Sequence, residues 1–159
     1  MIVFINGSIN SGKSTLAKLL ADRIGDCAIV EIDNLREFID WMPIEKAILL
    51  NLKNTVSVIK NFANENLNVI IPYPLSEKNY DFLKTNLSKL KTKIYCFTLA
   101  PKLEEVLKDR RNRKLDDWER ERIKYHYEIG INKPSFGEII DTTNQTPEET
   151  LELIVSWLK

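Results

Sequence analysis

One stretch near the start constrains this chain more than any other. A mostly apolar run, IVFIN (residues 2–6), opens into Gly7-Ser8-Ile9-Asn10-Ser11-Gly12-Lys13-Ser14 and then into KSTLAKLLADRI. The first run has the length and β-branched content of a strand. The last has the period of a helix, with Leu16, Leu19, Leu20 and Ile24 along one face. A strand that passes through a glycine-bracketed turn into an amphipathic helix is half of a βα unit, and such units build parallel sheets covered by helices.

The rest of the chain repeats that alternation. Further strands are expected at AIVEI (28–32), NVIIP (68–72), KIYCFTL (93–99) and GEIID (137–141). These runs are mostly apolar on both faces, as strands covered from both sides are. One helix is expected from Pro43 to about Asn64, carrying Ile48, Leu52, Val56, Ile59 and Ala63 at helical spacing, and another from about Glu77 to Leu90. Pro101 opens the next, with Leu103, Val106 and Leu107 inward. The final helix has a capping box, with Thr146 as N-cap, Pro147 at N1 and Glu149 at N3, ahead of a stripe of Leu151, Ile154, Val155 and Leu158. No linker, repeat or low-complexity stretch divides residues 1–159, so one domain is expected. Its one compositional shift is RRNRKLDDWERERIK (110–124), rich in both charges.

Composition narrows the functional classes. Lys and Arg number 23 against 23 Asp and Glu, so no overall field draws the chain to a polyanion, and neither a nucleic-acid nor a membrane partner is expected. No apolar stretch approaches the roughly 20 residues of a transmembrane helix. MIVFIN lacks the features of a signal peptide, and a cytoplasmic location follows as the default expectation. Two cysteines, Cys27 and Cys96, are too few for a disulfide framework, and Cys96 inside IYCF reads as a buried thiol.

The glycine-bracketed turn matches G-x-x-x-x-G-K-[ST], the Walker A pattern, at every fixed position. Its glycines permit backbone angles that turn successive N–H groups toward phosphate oxygens. The following helix adds the positive end of its dipole. Lys13 is placed to reach the β- and γ-phosphates, and the Ser14 hydroxyl to ligate Mg²⁺. ATP and Mg²⁺ are therefore the expected cofactors, with Gly7, Ser8, Ile9, Asn10, Ser11, Gly12, Lys13, Ser14 and Thr15 as the binding segment.

INGSINSGKST, VIIPYPL after the third strand, FTLAPKLEEVLKDRRNR, and IIDTTNQTPEE before the last helix together resemble the small P-loop kinases. That group includes nucleoside monophosphate, shikimate and chloramphenicol kinases, and within it the chain looks most like tunicamycin-resistance ATP-binding proteins. The resemblance implies an α/β three-layer sandwich whose five-stranded parallel sheet runs 2-3-1-4-5, with a short arginine-rich lid at about 110–124. It implies a phosphotransferase that moves phosphate from ATP to a hydroxyl of a small molecule, such as an antibiotic or metabolite. A binding protein that sequesters such a compound without turnover is the alternative. Either would be a monomer or homodimer. GTPase switch motifs are absent, since no D-x-x-G follows the third strand and no N-K-x-D occurs.

Several residues become candidates in that frame. Asp33, in EIDNLRE, is expected at the end of the second strand, as base or as a water-mediated Mg²⁺ holder, or else as a helix N-cap. Arg36, a turn further on, would bind an acidic acceptor, or else pair with Glu37 or Asp40. By the family pattern Arg110 would stack on adenine and Arg113 would reach the phosphates, with Arg111 between them in sequence and Arg120 and Arg122 second in rank. Thr143 and Thr146 bracket the loop whose main chain would contact adenine, or simply form a turn and a cap. Where shikimate kinases carry a glycine triplet, this chain has Ile71-Pro72-Tyr73-Pro74, which argues against shikimate as acceptor. Tyr73 is a candidate wall of the acceptor pocket, with Trp41 and Met42 opposite. His126, the lone histidine, is expected on the surface or half-buried on a helix.

Overall fold

In a computed structural model the protein is described over residues 1–110 and 113–158. Five strands, β1 (Ile2–Gly7), β2 (Cys27–Ile29), β3 (Asn68–Pro72), β4 (Ile94–Leu99) and β5 (Glu138–Ile140), form one sheet. Its order is β2-β3-β1-β4-β5, and every pairing is parallel. Fold class and strand order are those expected.

Alternation along β1 explains the layers, because successive side chains of a strand point to opposite faces. Ile2 and Phe4 enter a core with Leu52, Val56 and Ile59 of α3 (Ile44–Asn64) and Tyr80, Leu83 and Leu87 of α4 (Glu77–Leu87). Val3 and Ile5 enter a second core with Leu16, Ala17 and Leu20 of α1 (Lys13–Ile24) and Leu151 and Ile154 of α7 (Pro147–Trp157). The central strand is thus buried on both faces, as its unbroken apolar run requires. Cys96 is buried, as expected.

The remaining helices border the carboxyl ends of the strands. They are α2 (Ile32–Arg36), followed by a 3₁₀ turn (Glu37–Ile39), α5 (Leu103–Val106) and α6 (Asp117–Glu128). A third, small core of Val106, Leu115 and Ile123 joins α5 to α6, with Ile9 of the phosphate-loop segment packed against it. Two capping boxes fix helix starts: Thr146 with Glu149 on α7, as the spacing predicts, and Asp116 with Glu119 on α6.

The expected second strand needs correction. It ends at Ile29 rather than residue 32, because Ile32 buries itself in the α3-side core and turns the chain into α2. Only one further ladder bond follows, Val30 N–H to the Ile70 carbonyl at 2.9 Å. Asp33 consequently sits in the first turn of α2, and Glu31, not Asp33, occupies the N-cap position.

Candidate functional site

The loop between β1 and α1 is held open by packing from behind. Gly7 has φ +142°, and a Cβ there would stand 2.6 Å from Ser11 Oγ and 2.7 Å from the Leu99 carbonyl oxygen, so no side chain fits. Gly12 also has positive φ, +96°, but a Cβ there would meet nothing within 4 Å. Gly7 is a packing glycine, while Gly12 faces open space at the mouth of α1. That helix starts with no side-chain cap, so its first N–H groups are left for another acceptor. Ser11 Oγ is buried without a hydrogen-bond partner. Uncapped amides, a methyl-free approach and an orphaned hydroxyl fit a polyphosphate.

Asn10 adopts left-handed φ, +63°, and turns its side chain away from the cradle. Its Nδ2 donates to the carbonyls of Val106 at 2.8 Å and Lys108 at 3.1 Å, closing off the end of α5. Arg110 returns the tie by donating to the Asn10 carbonyl at 2.6 Å. Arg110 and Arg113 exchange two backbone hydrogen bonds, at 2.8 and 2.9 Å. Arg111 lies outside the described residues.

Three cavities line up along the carboxyl edge of the sheet. The first, about 340 Å³, lies between Gly12, Pro101, Arg110, Thr143 and Gln145. Thr143 lines it while accepting from the Lys102 N–H at 3.0 Å. Thr146 does not line it; its hydroxyl accepts from the Glu149 N–H at 3.1 Å as the α7 cap. The second cavity, about 300 Å³, brings together Ile9, Asn10, Gly12, Lys13, Ser14 and Thr15 with Asp33, Arg110 and Arg113. The third, about 610 Å³, opens between α3 and α6 and includes Asp33, Arg36, Tyr73, Arg122 and His126. Asp33 borders both the second and the third.

Electrostatics follow from that arrangement. Burial pulls the Lys13 ammonium down to about 8, opposed by the carboxylates of Asp33 and Glu31 and reinforced by Arg113. Without a ligand its Nζ donates to the Ser8 carbonyl at 2.7 Å. Although much of Asp33 faces solvent, the cleft walls desolvate its carboxylate and raise its pKa, with Lys13 and Arg122 pulling it back. The Tyr73 hydroxyl is pushed up to about 12 by burial and then by the charge of Asp33, against Arg122. Arg113 is ion-paired to Glu119, which holds it at the cavity edge.

Other expectations are corrected. His126 is buried, at 4% exposure, because Ile123 and His126 form the inward face of α6. Its Nδ1 hydrogen-bonds Ser8 Oγ at 3.2 Å, and burial, then Arg122 and Lys13, bring it down to about 4. Arg36 pairs with neither Glu37 nor Asp40; it donates to the Met42 carbonyl at 3.0 Å and leaves its second terminal nitrogen buried and unpartnered. Trp41 does not wall the large cavity and is 76% exposed, and Met42 is engaged through its backbone. The opposite wall comes instead from α3 and α6, with Ile48, Asn51, Trp118 and Tyr125.

Arg120 and Arg122, two residues apart on α6, part company. Arg120 braces α6 to the segment after α5, through the Leu107 carbonyl and Asp109, each at 2.7 Å. Arg122 faces the large cavity and lies 5.1 Å from the Tyr125 ring centroid. Of the residues lining this cavity, Asn51 was not named from the sequence and His126 was expected nearer the surface. The only available signal was a polar residue on the inward stripe of an amphipathic helix.

Among solved structures the chain is similar to a sugar kinase from Janibacter sp., with a TM-score of 0.75 and 19% identity over 99% of this chain and 93% of that one. It is similar to the Deinococcus radiodurans tunicamycin resistance protein, with a TM-score of 0.70 and 18% identity over 99% and 94% of the two chains. Shikimate kinase from Aquifex aeolicus gives a TM-score of 0.60 and 17% identity over 99% and 96%. No family model and no curated protein matches the sequence. At these identities the likeness establishes the fold, which is that of the P-loop kinase group. Among the described residues no helix is long and apolar enough to cross a membrane.

Proposed function

We propose that the protein is a phosphotransferase that moves the terminal phosphoryl group of ATP, with Mg²⁺, to a hydroxyl of a small molecule. One observation carries this reading: Asp33 borders both the cavity that holds Lys13, Ser14 and Arg113 and the larger cavity beyond. A carboxylate at that junction is where a hydroxyl and a phosphate would meet.

The assignments follow from position. Main-chain amides from Gly7 to Thr15 hold the phosphates, and Gly12 admits their close approach. Lys13 leaves the Ser8 carbonyl to neutralise them, and Arg113 steadies charge on the group in transit. Arg110 and Thr143 flank the nucleoside side. Ser14 would hold Mg²⁺, with Asp33 reaching it through a water, and the ion would supply charge neutralisation across the phosphates. Two protein groups suffice, because Mg²⁺ keeps several waters, and among the described residues no cluster of three or more metal-ligating side chains competes for the role. In the transfer the acceptor oxygen bonds to phosphorus, the bridging oxygen leaves with ADP, and Asp33 takes the hydroxyl proton. Arg36 and Tyr73 contact the acceptor.

Asp33→Asn tests the chemistry apart from binding. With ATP, Mg²⁺ and a panel of hydroxylated metabolites and antibiotics, we expect the substitution to lower phosphate transfer by about 10²–10⁴-fold while ADP still binds. Tight binding of a panel compound with no transfer by either protein would favour sequestration over catalysis.

A further inference from the structure

The large cavity differs from its two neighbours in lining and in size. At about 610 Å³ it nearly equals the other two combined, at about 340 and 300 Å³. If those two seat a nucleotide, the third has room for a partner of similar bulk. Its lining includes Asp33, Arg36, Asn51 and Arg122, whereas Ile44, Ile48, Leu49, Trp118, Tyr125 and Ile129 give it an apolar body.

Two further observations point to a ligand. Asn51, 5% exposed, and Arg36 both line the cavity, and each has a buried side-chain atom with no hydrogen-bond partner, Oδ1 in Asn51 and a guanidinium nitrogen in Arg36. Buried orphans of this kind are uncommon in folded proteins and call for an explanation. One offers an acceptor and the other a charged donor. In addition, five of the eleven exposed large hydrophobic residues among the described residues line this cavity: Ile44 and Leu49 on α3, and Trp118, Tyr125 and Ile129 on or just after α6. An apolar rim of that extent around a concave, half-polar floor is the lining of a binding site.

Building on the kinase reading above, we infer that the acceptor is amphiphilic. It is a hydroxyl-bearing compound with an aromatic or alicyclic body seated between α3 and α6 and a hydrogen-bonding head read by Asn51 and Arg36. A bare polyol would leave the apolar wall wet; a purely apolar compound would leave the two polar atoms unpaired.

A matched pair of probes tests this, D-glucose and 4-nitrophenyl β-D-glucopyranoside, which share a sugar and differ by an aromatic ring. Calorimetry with ADP and Mg²⁺ comes first and reports on the kinase reading alone. On ADP-loaded protein the aryl glucoside is expected to bind at least about tenfold tighter than glucose, a methylene-scale apolar contact alone giving roughly that factor. Leu49→Glu combined with Trp118→Ser, at exposed positions where folding is not at stake, should remove that advantage and leave ADP binding alone. Asn51→Leu should weaken the aryl glucoside yet raise the melting temperature by about 2–4 °C, since it deletes an unsatisfied buried polar atom. A fall in melting temperature would mean that the Asn51 amide serves the fold, and would remove it from recognition. ADP binding with no preference for the aryl glucoside, or an unaffected double variant, would overturn the inference. Aryl glucoside binding without ADP binding would instead sink the kinase reading and leave the cavity assignment standing.

Discussion

On one side of Asp33 the cleft is walled by main chain, and on the other by side chains. Toward α1 the candidate phosphate cradle is built on loop amides, shaped by Gly7 and Gly12 and tied from behind by Asn10, Arg110 and the Ser8–His126 contact. Toward α3 and α6 the wall is Ile48, Asn51, Tyr73, Trp118 and Arg122, drawn from separate segments of the chain. The contrast shows how the two partners would be recognised. A phosphate is read by backbone dipoles that any sequence possesses once glycine permits the turn. A particular acceptor can be read only by chosen side chains.

The largest expected effect lies on the main-chain side. Lys13→Ala removes the one ammonium at the cradle and should lower phosphate transfer by about 10²–10³-fold. If the melting temperature of this variant rises with added ADP as much as that of the parent, Lys13 has no part in holding phosphate. Next comes a pair of glycine substitutions. Gly7→Ala drives a methyl into Ser11 and the Leu99 carbonyl and should cost about 1–3 kcal/mol of stability, read by chemical denaturation. Gly12→Ala meets no atom, so its effect should fall mainly on ADP affinity, with only the milder cost of positive φ. Equal losses of stability at both positions would erase the distinction between a packing glycine and a ligand-facing one.

A smaller effect concerns pH. Lys13 is held at about 8 in the free protein, and bound phosphate would favour its charged form. ADP affinity should therefore change little below about pH 7, fall about fivefold between pH 8 and 9, and approach tenfold per unit only above that. Titrations over pH 7–9 that stay flat would show that no ammonium with this pKa is needed.

The smallest effect probes the back of the cradle. His126 is held at about 4, below its ordinary 6.5, so the unfolded chain binds the proton more readily than the native one. Stability owed to the neutral ring is complete above pH 6.5 and is lost as pH falls toward 4. His126→Gln should cost about 1 kcal/mol at pH 7 through the weakened Ser8 contact. It should also flatten the fall in melting temperature between pH 6.5 and 4. An unchanged slope would place the acid sensitivity elsewhere.

Much of the fold was legible because local rules carry it. The β1 run, Thr146 with Glu149, and the 3.6-residue stripes of α3 and α7 each specify an element without reference to the rest. The Walker A turn was legible for the same reason, since its glycines and lysine stand at fixed spacing. The end of β2 was misplaced because Val30-Glu31-Ile32 alternates like a strand, while Ile32 gains more by burial under α3 as the first residue of α2. His126 was misjudged because nothing in IKYHYEIG says which face of α6 turns inward. Its packing against Ser8, 118 positions away in the chain, settles that.

By itself, the sequence determined a parallel αβ sheet with a Walker A turn at the carboxyl end of its first strand, because periodicity, caps and glycines act over a few residues. Only the tertiary structure decided which face of α6 meets the loop, that Arg122 rather than Arg120 enters the cleft, and that Asn51 and Arg36 leave polar atoms unpaired beside an apolar wall. Those outcomes depend on contacts between distant segments, and a side chain's partners across the fold leave no trace in the spacing of its neighbours along the chain.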